Sequence, residues 1–241
     1  MKVLLYSGGM DSWLIDKLWK PDKKVYVDIG NNYAEAEMVR LPKDVEIVHF
    51  PFLGEQEMEN KIVPLRNLYF IMIASHFGDE VCLGATEGDK HNSDKTPEFL
   101  EETEKLLSYL LADKKINRKL KICMDFVKVS KSELISRYLE NGGDIRKLQE
   151  ETFSCYYPQK ENDKWHPCYN CYPCFRTFAL YFAHGAKYSF EERKKMWDYI
   201  KKVIIPTKEE GGWQGTYYTE RGNDSKDMII TVEALKKEFG K

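Results

Sequence analysis

The sequence has no long apolar run, no excess of one charge and no internal repeat. A membrane-spanning helix needs roughly 18 or more consecutive apolar residues, and none is present. The first residues, Met1–Tyr6, lead into a glycine pair without the apolar core of a secretory signal. The formal net charge is only −2, so no global field attracts nucleic acid. These absences predict a cytoplasmic protein that does not bind membranes and for which nucleic acid is not an expected partner.

Cysteine is scarce, with six residues in 241, and a reducing compartment disfavours disulfides. Cys82 and Cys123 stand alone in apolar segments, which is typical of small core residues. The other four form one cluster, Cys155, Cys168, Cys171 and Cys174. Cys-x-x-Cys spacing suits a tetrahedral Zn²⁺ ion, and four thiolates leave no open position, which predicts a structural site. An iron–sulfur cluster and free thiols are the alternatives.

Strand-like and helix-like segments alternate along the first 150 residues. The strand-like segments are Lys2–Tyr6, Lys24–Ile29, Val45–Phe50, Glu80–Ala85 and Lys121–Val127. Helical spacing is found in Asp11–Trp19, Ala34–Arg40, Leu68–His76, Phe99–Leu111 and Ser130–Leu139. Ser130 and Glu133 form a capping-box pair at the start of the last of these. The alternation predicts an α/β fold with a doubly wound, parallel five-stranded sheet.

The pattern changes after residue 150. Residues 152–175 are rich in cysteine, tyrosine and proline and show no periodicity. Helical spacing returns in Phe175–His184, Phe190–Val203 and Val232–Phe239. Trp213–Tyr218 and Met228–Thr231 are predicted to pair as a hairpin. The chain therefore divides into an α/β nucleotide-binding domain (1–150), a helical zinc-binding region (151–205) and a C-terminal extension (206–241).

The first strand-like segment runs into a glycine loop, Ser7-Gly8-Gly9-Met10-Asp11-Ser12, and a helix follows. Such a turn lets backbone N–H groups approach a phosphate, and the helix N-terminus adds its positive dipole end. The spacing matches neither the Walker loop nor the dinucleotide fingerprint. A tight turn that binds nothing is the alternative. The Ser-Gly-Gly-x-Asp-Ser string resembles the PP-loop of the ATP pyrophosphatase superfamily, which has the adenine nucleotide alpha hydrolase-like fold.

The PP-loop resemblance implies an ATP site. Members of the superfamily split ATP into AMP and pyrophosphate while they adenylate a carboxylate or carbonyl oxygen. By this resemblance the ATP phosphates are held by Ser7, Gly8, Gly9, Met10, Asp11 and Ser12. A carboxylate is a poor phosphate ligand, so Asp11 is expected to act through Mg²⁺ or through the loop amides.

Further strings occur in the order found in one family of this superfamily. They are Val63–Asn67, Gly84–Asp89, Ser130–Glu133, Glu151–Tyr156, the Cys168–Cys174 knot and Arg176. Together with the loop they resemble the QueC family of 7-cyano-7-deazaguanine synthases. The resemblance implies that ATP adenylates the carboxylate of 7-carboxy-7-deazaguanine. Ammonia then gives an amide, and a second ATP leads to the nitrile.

The same resemblance suggests roles for three further residues. Lys131 and Arg66 would neutralise phosphate charge, and Asp89 would bond the guanine-like edge or a metal ion. A solvated helix-cap charge, a surface arginine and a loop-capping aspartate are the respective alternatives. The family resemblance also suggests a homodimer.

Three departures from the family pattern leave other functions open. The loop 90–96 differs from the usual string, Tyr169 stands where a glycine is common, and residues 206–241 are an addition. These favour, as one alternative, transfer of the activated deazaguanine to an amine of a partner protein in antiviral defence, with Trp213, Tyr217 and Tyr218 as a candidate surface. A PP-loop enzyme that thiolates tRNA and a non-enzymatic nucleotide-binding module are further alternatives.

Overall fold

A computed structural model describes residues 1–59, 62–89, 91–211 and 222–240. They form two compact units, Met1–Val129 and Ser130–Lys241. The predicted division into residues 1–150, 151–205 and 206–241 stays a prediction. Within the described ranges, no helix combines the length and apolar character needed to cross a membrane.

The described part of the first unit contains a five-stranded parallel sheet in the order β3-β2-β1-β4-β5. Its strands are β1 (Lys2–Leu5), β2 (Lys23–Asp28), β3 (Val45–His49), β4 (Glu80–Cys82) and β5 (Lys121–Ile122). The central residues of β1, β2 and β4 are buried, as in a parallel sheet covered on both faces. The predicted α/β fold with a five-stranded parallel sheet is confirmed.

The helices of the first unit provide the apolar cover of the sheet. They are α1 (Met10–Trp19), α2 (Ala34–Met38), α3 (Phe52–Glu55), α4 (Arg66–Ser75) and α5 (Pro97–Leu111). Val3, Val25 and Val81 of three neighbouring strands belong to one core cluster with Ile71 of α4 and Leu100 of α5. This core holds the carboxyl ends of β1, β2 and β4 side by side at the same end of the sheet.

Two strands are shorter than their apolar segments predicted. β4 ends at Cys82 rather than Ala85, and β5 ends at Ile122 rather than Val127. Gly84 has φ +76°, a conformation that turns the chain out of the sheet. After β5, Val127 N–H donates to Met124 O and Val129 N–H to Phe126 O, so the apolar residues there form turns.

The second unit is mainly helical. Its helices are α6 (Lys131–Glu140), α7 (Ile145–Glu151), α8 (Tyr172–Ala183), α9 (Phe190–Tyr199), α10 (Ile205–Glu209) and α11 (Asn223–Phe239), with a π-helical turn at Ile200–Ile204. A short antiparallel hairpin consists of β6 (Gln159–Glu161) and β7 (Lys164–His166). Neither α7 nor the hairpin was predicted, because α7 is short and the hairpin strands are largely exposed and carry no apolar alternation.

The strand predicted at Met228–Thr231 is wrong, because these residues lie in the middle of α11. The buried residues of this helix recur every three or four positions, at Asp224, Ser225, Met228, Thr231, Val232 and Leu235. Ile229 and Ile230 are exposed, and these two apolar residues obscured the helical period in the sequence. The partner strand predicted at Trp213–Tyr218 lies outside the described residues.

Helix α11 is bonded to three other helices of the second unit. Its wholly buried Asp224 accepts the Ser132 N–H at the start of α6 with Oδ1 (2.9 Å). Thr231 Oγ1 donates to the Ala179 carbonyl of α8 (2.8 Å). Arg193 of α9 forms an ion pair with Glu238 (2.9 Å). These contacts make α11 a structural part of the second unit.

Replacing Asp224 by alanine is expected to destabilise the protein by about 1–3 kcal/mol, because a partly buried backbone donor of α6 loses its acceptor. Glu233→Ala, at an exposed position of the same helix, is the matched control. Urea unfolding of the two variants and the wild type measures the difference. Equal midpoints for both variants would show that this hydrogen bond contributes nothing to stability.

Candidate functional site

A cavity opens in the first unit where the strand order reverses. β1 pairs with β2 on one side and with β4 on the other, so the connections leave β1 and β4 in opposite directions. The carboxyl ends of strands at such a switch point form the usual ligand cleft of open α/β sheets. Residues from the end of β1, from β2 and from the segment after β4 line the cavity together with α2 and α4.

Three residues of the glycine loop, Ser7, Asp11 and Ser12, line this cavity. The loop is closed by its own hydroxyls, because Ser12 Oγ accepts the Ser7 N–H (3.2 Å) and donates to the Gly9 carbonyl (3.1 Å). Gly8 has φ +71°, a left-handed conformation that disfavours other residues. Gly9 caps α1 without a side-chain hydrogen bond. This geometry suits an anion at the start of α1.

Glu37 and Tyr26 form a polar pair in the cavity wall that the sequence did not reveal. Tyr26 donates its hydroxyl to Glu37 Oε2 (2.8 Å), and both residues line the cavity. Burial raises the pKa of Glu37 to about 7, although the Tyr26 hydrogen bond and the charge of Arg66 act in the opposite direction. Glu37 is therefore a carboxyl group that exchanges a proton near neutral pH. In the sequence, Glu37 could be recognised only as one acidic residue in the short helix after β2.

Arg66, a predicted phosphate-binding residue, also lines the cavity. It is the first residue of α4, and its guanidinium lies 5.9 Å from the centre of the Phe70 ring. The residue before it, Leu65, has φ +59°. This conformation costs a non-glycine residue roughly 1 kcal/mol, so the surrounding structure must maintain it. The structure thus brings Arg66 to the same cavity as Ser7, Asp11 and Ser12.

Asp89 is buried and bonded within its own loop. Its Oδ2 accepts the Thr86 hydroxyl (2.9 Å) and the Thr86 N–H (3.2 Å), while Oδ1 lies 3.6 Å from Lys95 Nζ. Lys95 itself lines the cavity. Asp89 is therefore connected to the cavity wall by its ion pair with Lys95. Its predicted contact with a substrate or metal ion stays a prediction.

The loop that departs from the family pattern is held by hydrogen bonds to α4 and α5 over residues 91–96, and Lys90 lies outside the described residues. Asn67 of α4, almost wholly buried, donates from Nδ2 to the Asp94 carbonyl (3.4 Å). Thr96 accepts the Phe99 N–H (3.2 Å) and so caps α5. These bonds connect the loop to α4 and α5, and they place Lys95 in the cavity wall.

Lys131 is the first residue of α6 in the second unit and is wholly buried. Ser130 Oγ accepts the Glu133 N–H (3.1 Å), which confirms the predicted helix start. A solvated cap charge is therefore excluded, since the side chain has no exposed surface. A phosphate-binding role for Lys131 stays a prediction.

The four clustered cysteines converge on one site, with all Sγ atoms within 4.8 Å of one another. The distances are 3.9 Å between Cys168 and Cys174 and 4.0 Å between Cys155 and Cys171. Zn–S bonds of about 2.3 Å in a tetrahedron place the sulfurs about 3.8 Å apart. An iron–sulfur cluster holds its cysteines farther apart, because several iron and sulfide atoms lie between them. The cluster fits a zinc site.

The backbone around the cysteines is arranged for thiolates. Cys155 Sγ accepts the Cys168 N–H (3.3 Å), and Cys168 Sγ accepts the Asn170 N–H (3.3 Å). Hydrogen bonds from Cys155, Cys171 and Cys174 hold the pKa of Cys168 well below its usual range. Four adjacent thiolates repel one another, so a bound dication would neutralise them. Such a site would stabilise the second unit.

Tyr169 occupies a left-handed position inside the cysteine turn, with φ +51°. Glycine is favoured in this conformation, which explains why glycine is common at this position of the family pattern. The Tyr169 hydroxyl donates to Glu192 Oε1 (2.6 Å), and its ring meets Phe178 edge-on. These contacts offset the strain and connect the turn to α8 and α9.

Glu37→Gln is expected to change stability in a pH-dependent way. The pKa of Glu37 is about 7 in the folded state against its ordinary value of 4.5, so the folded state binds more protons in this range. Wild-type stability should therefore fall as pH rises from 4.5 to 7, and glutamine removes this loss. The variant should gain up to about 3 kcal/mol relative to wild type above pH 7, since one pKa unit corresponds to about 1.4 kcal/mol.

Denaturant unfolding between pH 4.5 and 8 measures this effect. Glu35→Gln, at an exposed position of the same helix, is the control and should follow the wild-type pH profile. Parallel pH profiles for wild type and Glu37→Gln would contradict the raised pKa.

Purified protein is expected to contain one zinc ion per chain and to be colourless, and Cys171→Ser should lose the metal and unfold at lower temperature. Cys82→Ala is the control, because Cys82 lies in the first unit, outside the cluster. Elemental analysis and thermal unfolding provide the measurements. A brown protein that contains iron would overturn the zinc assignment.

Comparison with known proteins identifies the family. The model of the family described as "Queuosine biosynthesis protein QueC" matches residues 22–182. A protein of Aquifex aeolicus (strain VF5) named 7-cyano-7-deazaguanine synthase is 28% identical over 213 residues, which cover 72% of this chain and 93% of the relative. One of the same name from Sulfurihydrogenibium sp. (strain YO3AOP1) is 26% identical over 209 residues, 71% and 90% of the two chains. No solved structure gives a significant match.

The family match includes Glu37, Arg66, Asp89 and Lys131 and the whole cysteine cluster, whereas the glycine loop and α11 lie outside it. Because it spans most of the described structure, the chain belongs to the QueC family.

Proposed function

We propose that this protein is an ATP-dependent enzyme that adenylates the carboxylate of 7-carboxy-7-deazaguanine and then aminates it, as a 7-cyano-7-deazaguanine synthase. The observation that carries the proposal is the cavity at the β1–β4 switch point, lined by Ser7, Asp11, Ser12 and Arg66. Two relatives bear the name of this synthase. The class of enzyme is a ligase that forms a C–N bond.

The glycine loop is the proposed site of the ATP phosphates. Amides at the start of α1 and the hydroxyls of Ser7 and Ser12 would donate to the phosphate oxygens. Arg66 would neutralise the charge that builds up on the phosphates as pyrophosphate leaves. Mg²⁺, when bound with the nucleotide, would supply further positive charge, and Asp11 is the residue proposed to orient it. Lys131 is proposed as a second cation for the same phosphates.

The first chemical step is attack by a carboxylate oxygen on the α-phosphorus of ATP. The bond from that phosphorus to the bridging oxygen breaks, and pyrophosphate leaves with the electron pair. Ammonia then attacks the acyl carbon, and AMP departs as the amide forms. The amide oxygen then attacks the α-phosphorus of a second ATP and pyrophosphate leaves, and loss of AMP and of both amide N–H protons gives the nitrile. The proposed role of the protein is to orient the reactants and neutralise charge.

A protein amine is the second candidate for the acceptor. An acyl-adenylate reacts with whichever amine reaches it, so the surroundings of the site select the acceptor. The loop that differs from the family pattern is held by the hydrogen bond from Asn67 to the Asp94 carbonyl, and its Lys95 lies in the cavity wall. This loop is the observation that favours an acceptor different from ammonia. A role in antiviral defence belongs to this second candidate.

The cysteine arrangement disfavours tRNA thiolation. A sulfur carrier needs a reactive cysteine next to the activated substrate. Cys155, Cys168, Cys171 and Cys174 converge on one metal-type site, and Cys82 and Cys123 are buried. These positions favour a structural role for the six cysteines.

The test is incubation of the purified protein with ATP, Mg²⁺ and 7-carboxy-7-deazaguanine, with and without ammonia, followed by mass spectrometry. AMP and pyrophosphate are expected in both cases, and the nitrile only with ammonia. Asp11→Asn should slow AMP formation by about 100-fold, because a neutral amide orients Mg²⁺ less well than the carboxylate proposed for that role. Asp44→Asn, at an exposed position away from the cavity, is the control.

Each result has a distinct meaning. Absence of AMP with this substrate would contradict the deazaguanine assignment. AMP formation without nitrile in the presence of ammonia would favour the protein-amine acceptor. Equal rates for Asp11→Asn and Asp44→Asn would contradict the proposed ATP site.

A further inference from the structure

Lys95 is a cation in the cavity wall, and it belongs to the loop that departs from the family pattern. Among the described residues that line the cavity, two carry a positive charge, Arg66 and Lys95. Arg66 begins α4, whereas Lys95 ends a short helical turn, Ser93–Lys95, in the segment after β4. The proposed function assigns Arg66 to the ATP phosphates and gives Lys95 no role in the chemistry.

Two sets of contacts hold Lys95 in the cavity wall. Its ammonium lies 3.6 Å from Asp89 Oδ1, and the other oxygen of this buried carboxylate accepts the Thr86 hydroxyl (2.9 Å). Asn67 donates to the carbonyl of Asp94, the residue before Lys95 (3.4 Å). The side chain of Lys95 is only 22% exposed. Lys95 is therefore a positioned charge and not a solvated lysine on a surface loop.

The ion pair with Asp89 leaves Lys95 able to bind a second anion from the cavity. An ammonium group has three N–H donors. The separation of 3.6 Å is also longer than the roughly 2.7–2.9 Å of a tight charge-assisted hydrogen bond. The negative charge of Asp89 offsets the cost of holding the ammonium in a partly covered position.

The first step of the proposed reaction brings two anions together. The carboxylate of the substrate must approach the α-phosphate of ATP, and both groups are negatively charged at neutral pH. In a site partly removed from water these charges repel strongly, so a cation beside the carboxylate is needed to hold it in place. The amide that enters the second step is neutral and has no such need. The two steps therefore differ in their requirement for a cation that binds the substrate.

We propose that Lys95 binds the carboxylate of the substrate in the first step and so makes the site selective for the acid. The inference rests on the proposed function, in which the ATP phosphates occupy the glycine loop. That loop follows β1, whereas Lys95 lies in the segment after β4, the strand paired with β1. Both segments line the same cavity. A carboxylate held by Lys95 would thus share the cavity with phosphates held by the glycine loop.

Steady-state kinetics with two substrates test this role of Lys95. The substrates are 7-carboxy-7-deazaguanine with ammonia and the amide of the same deazaguanine, each with ATP and Mg²⁺, and AMP release is the signal. For Lys95→Met we expect KM for the acid to rise about 10- to 100-fold, the loss of one charge-assisted hydrogen bond. KM for ATP and the rate with the amide should stay near the wild-type values. Retained activity with the amide would also show that the variant is folded.

Three further variants complete the test. Lys95→Gln removes the charge but keeps a donor for Asp89, so it should repeat the effect of Lys95→Met with less risk to folding. Lys95→Arg keeps the positive charge and should recover much of the affinity for the acid. Lys105→Met is the matched control, because Lys105 is an exposed lysine of α5 that does not line the cavity. It should match the wild type with both substrates.

The outcomes separate this inference from the proposed function. Equal KM values for the acid in Lys95→Gln and Lys105→Met would overturn the role of Lys95. A raised KM for ATP, with an equal loss of activity on acid and amide, would also overturn it and would indicate a phosphate-binding lysine. If the amide is not a substrate of the wild type, comparison of KM for the acid with KM for ATP makes the same distinction. A wild type that releases no AMP with either compound would contradict the proposed function itself, and the inference with it.

Discussion

The hydrogen bonding of β1 to β2 on one side and to β4 on the other is the constraint on which the first unit depends. Because β1 is the central strand, the loop that follows it lies at the middle of the row of strand carboxyl ends and not beside an outer strand. The chain reaches the two neighbouring strands by connections that diverge, and a cleft forms between them. The glycine loop, Glu37 of α2 and Arg66 of α4 meet in that cleft although they are far apart in the sequence.

The second unit depends on a different kind of constraint. Four thiol groups within 4.8 Å of one another join the segment after α7 to the start of α8. Where the chain turns between these sulfurs, Tyr169 is held in a left-handed conformation and bonded to Glu192. Helix α11 completes this unit, since Asp224 and Thr231 bond α6 and α8. The four-cysteine site and the last helix thus supplement the apolar core of the second unit.

Much of the fold was predictable because local patterns carried it. The apolar runs of β1, β2 and β3 and the spacing of α1, α5 and α6 matched the structure to within a few residues. The prediction failed where local patterns were ambiguous. Ile229 and Ile230 suggested a strand, yet burial of Met228, Val232 and Leu235 selects a helix. Apolar residues after Ile122 form turns, because Val127 and Val129 donate their backbone N–H groups locally, to Met124 and Phe126.

The sequence by itself determined the family, the α/β class, the glycine loop and the cysteine cluster, since each depends on residues that are close together in the chain. Only the tertiary structure revealed the pairing of Tyr26 with Glu37 and the bond between Asp224 and α6. The raised pKa of Glu37 comes from burial, which no local pattern encodes. Helix α5 shows the same limit, because helical spacing alone does not tell which apolar residues of a helix face the core and which are exposed.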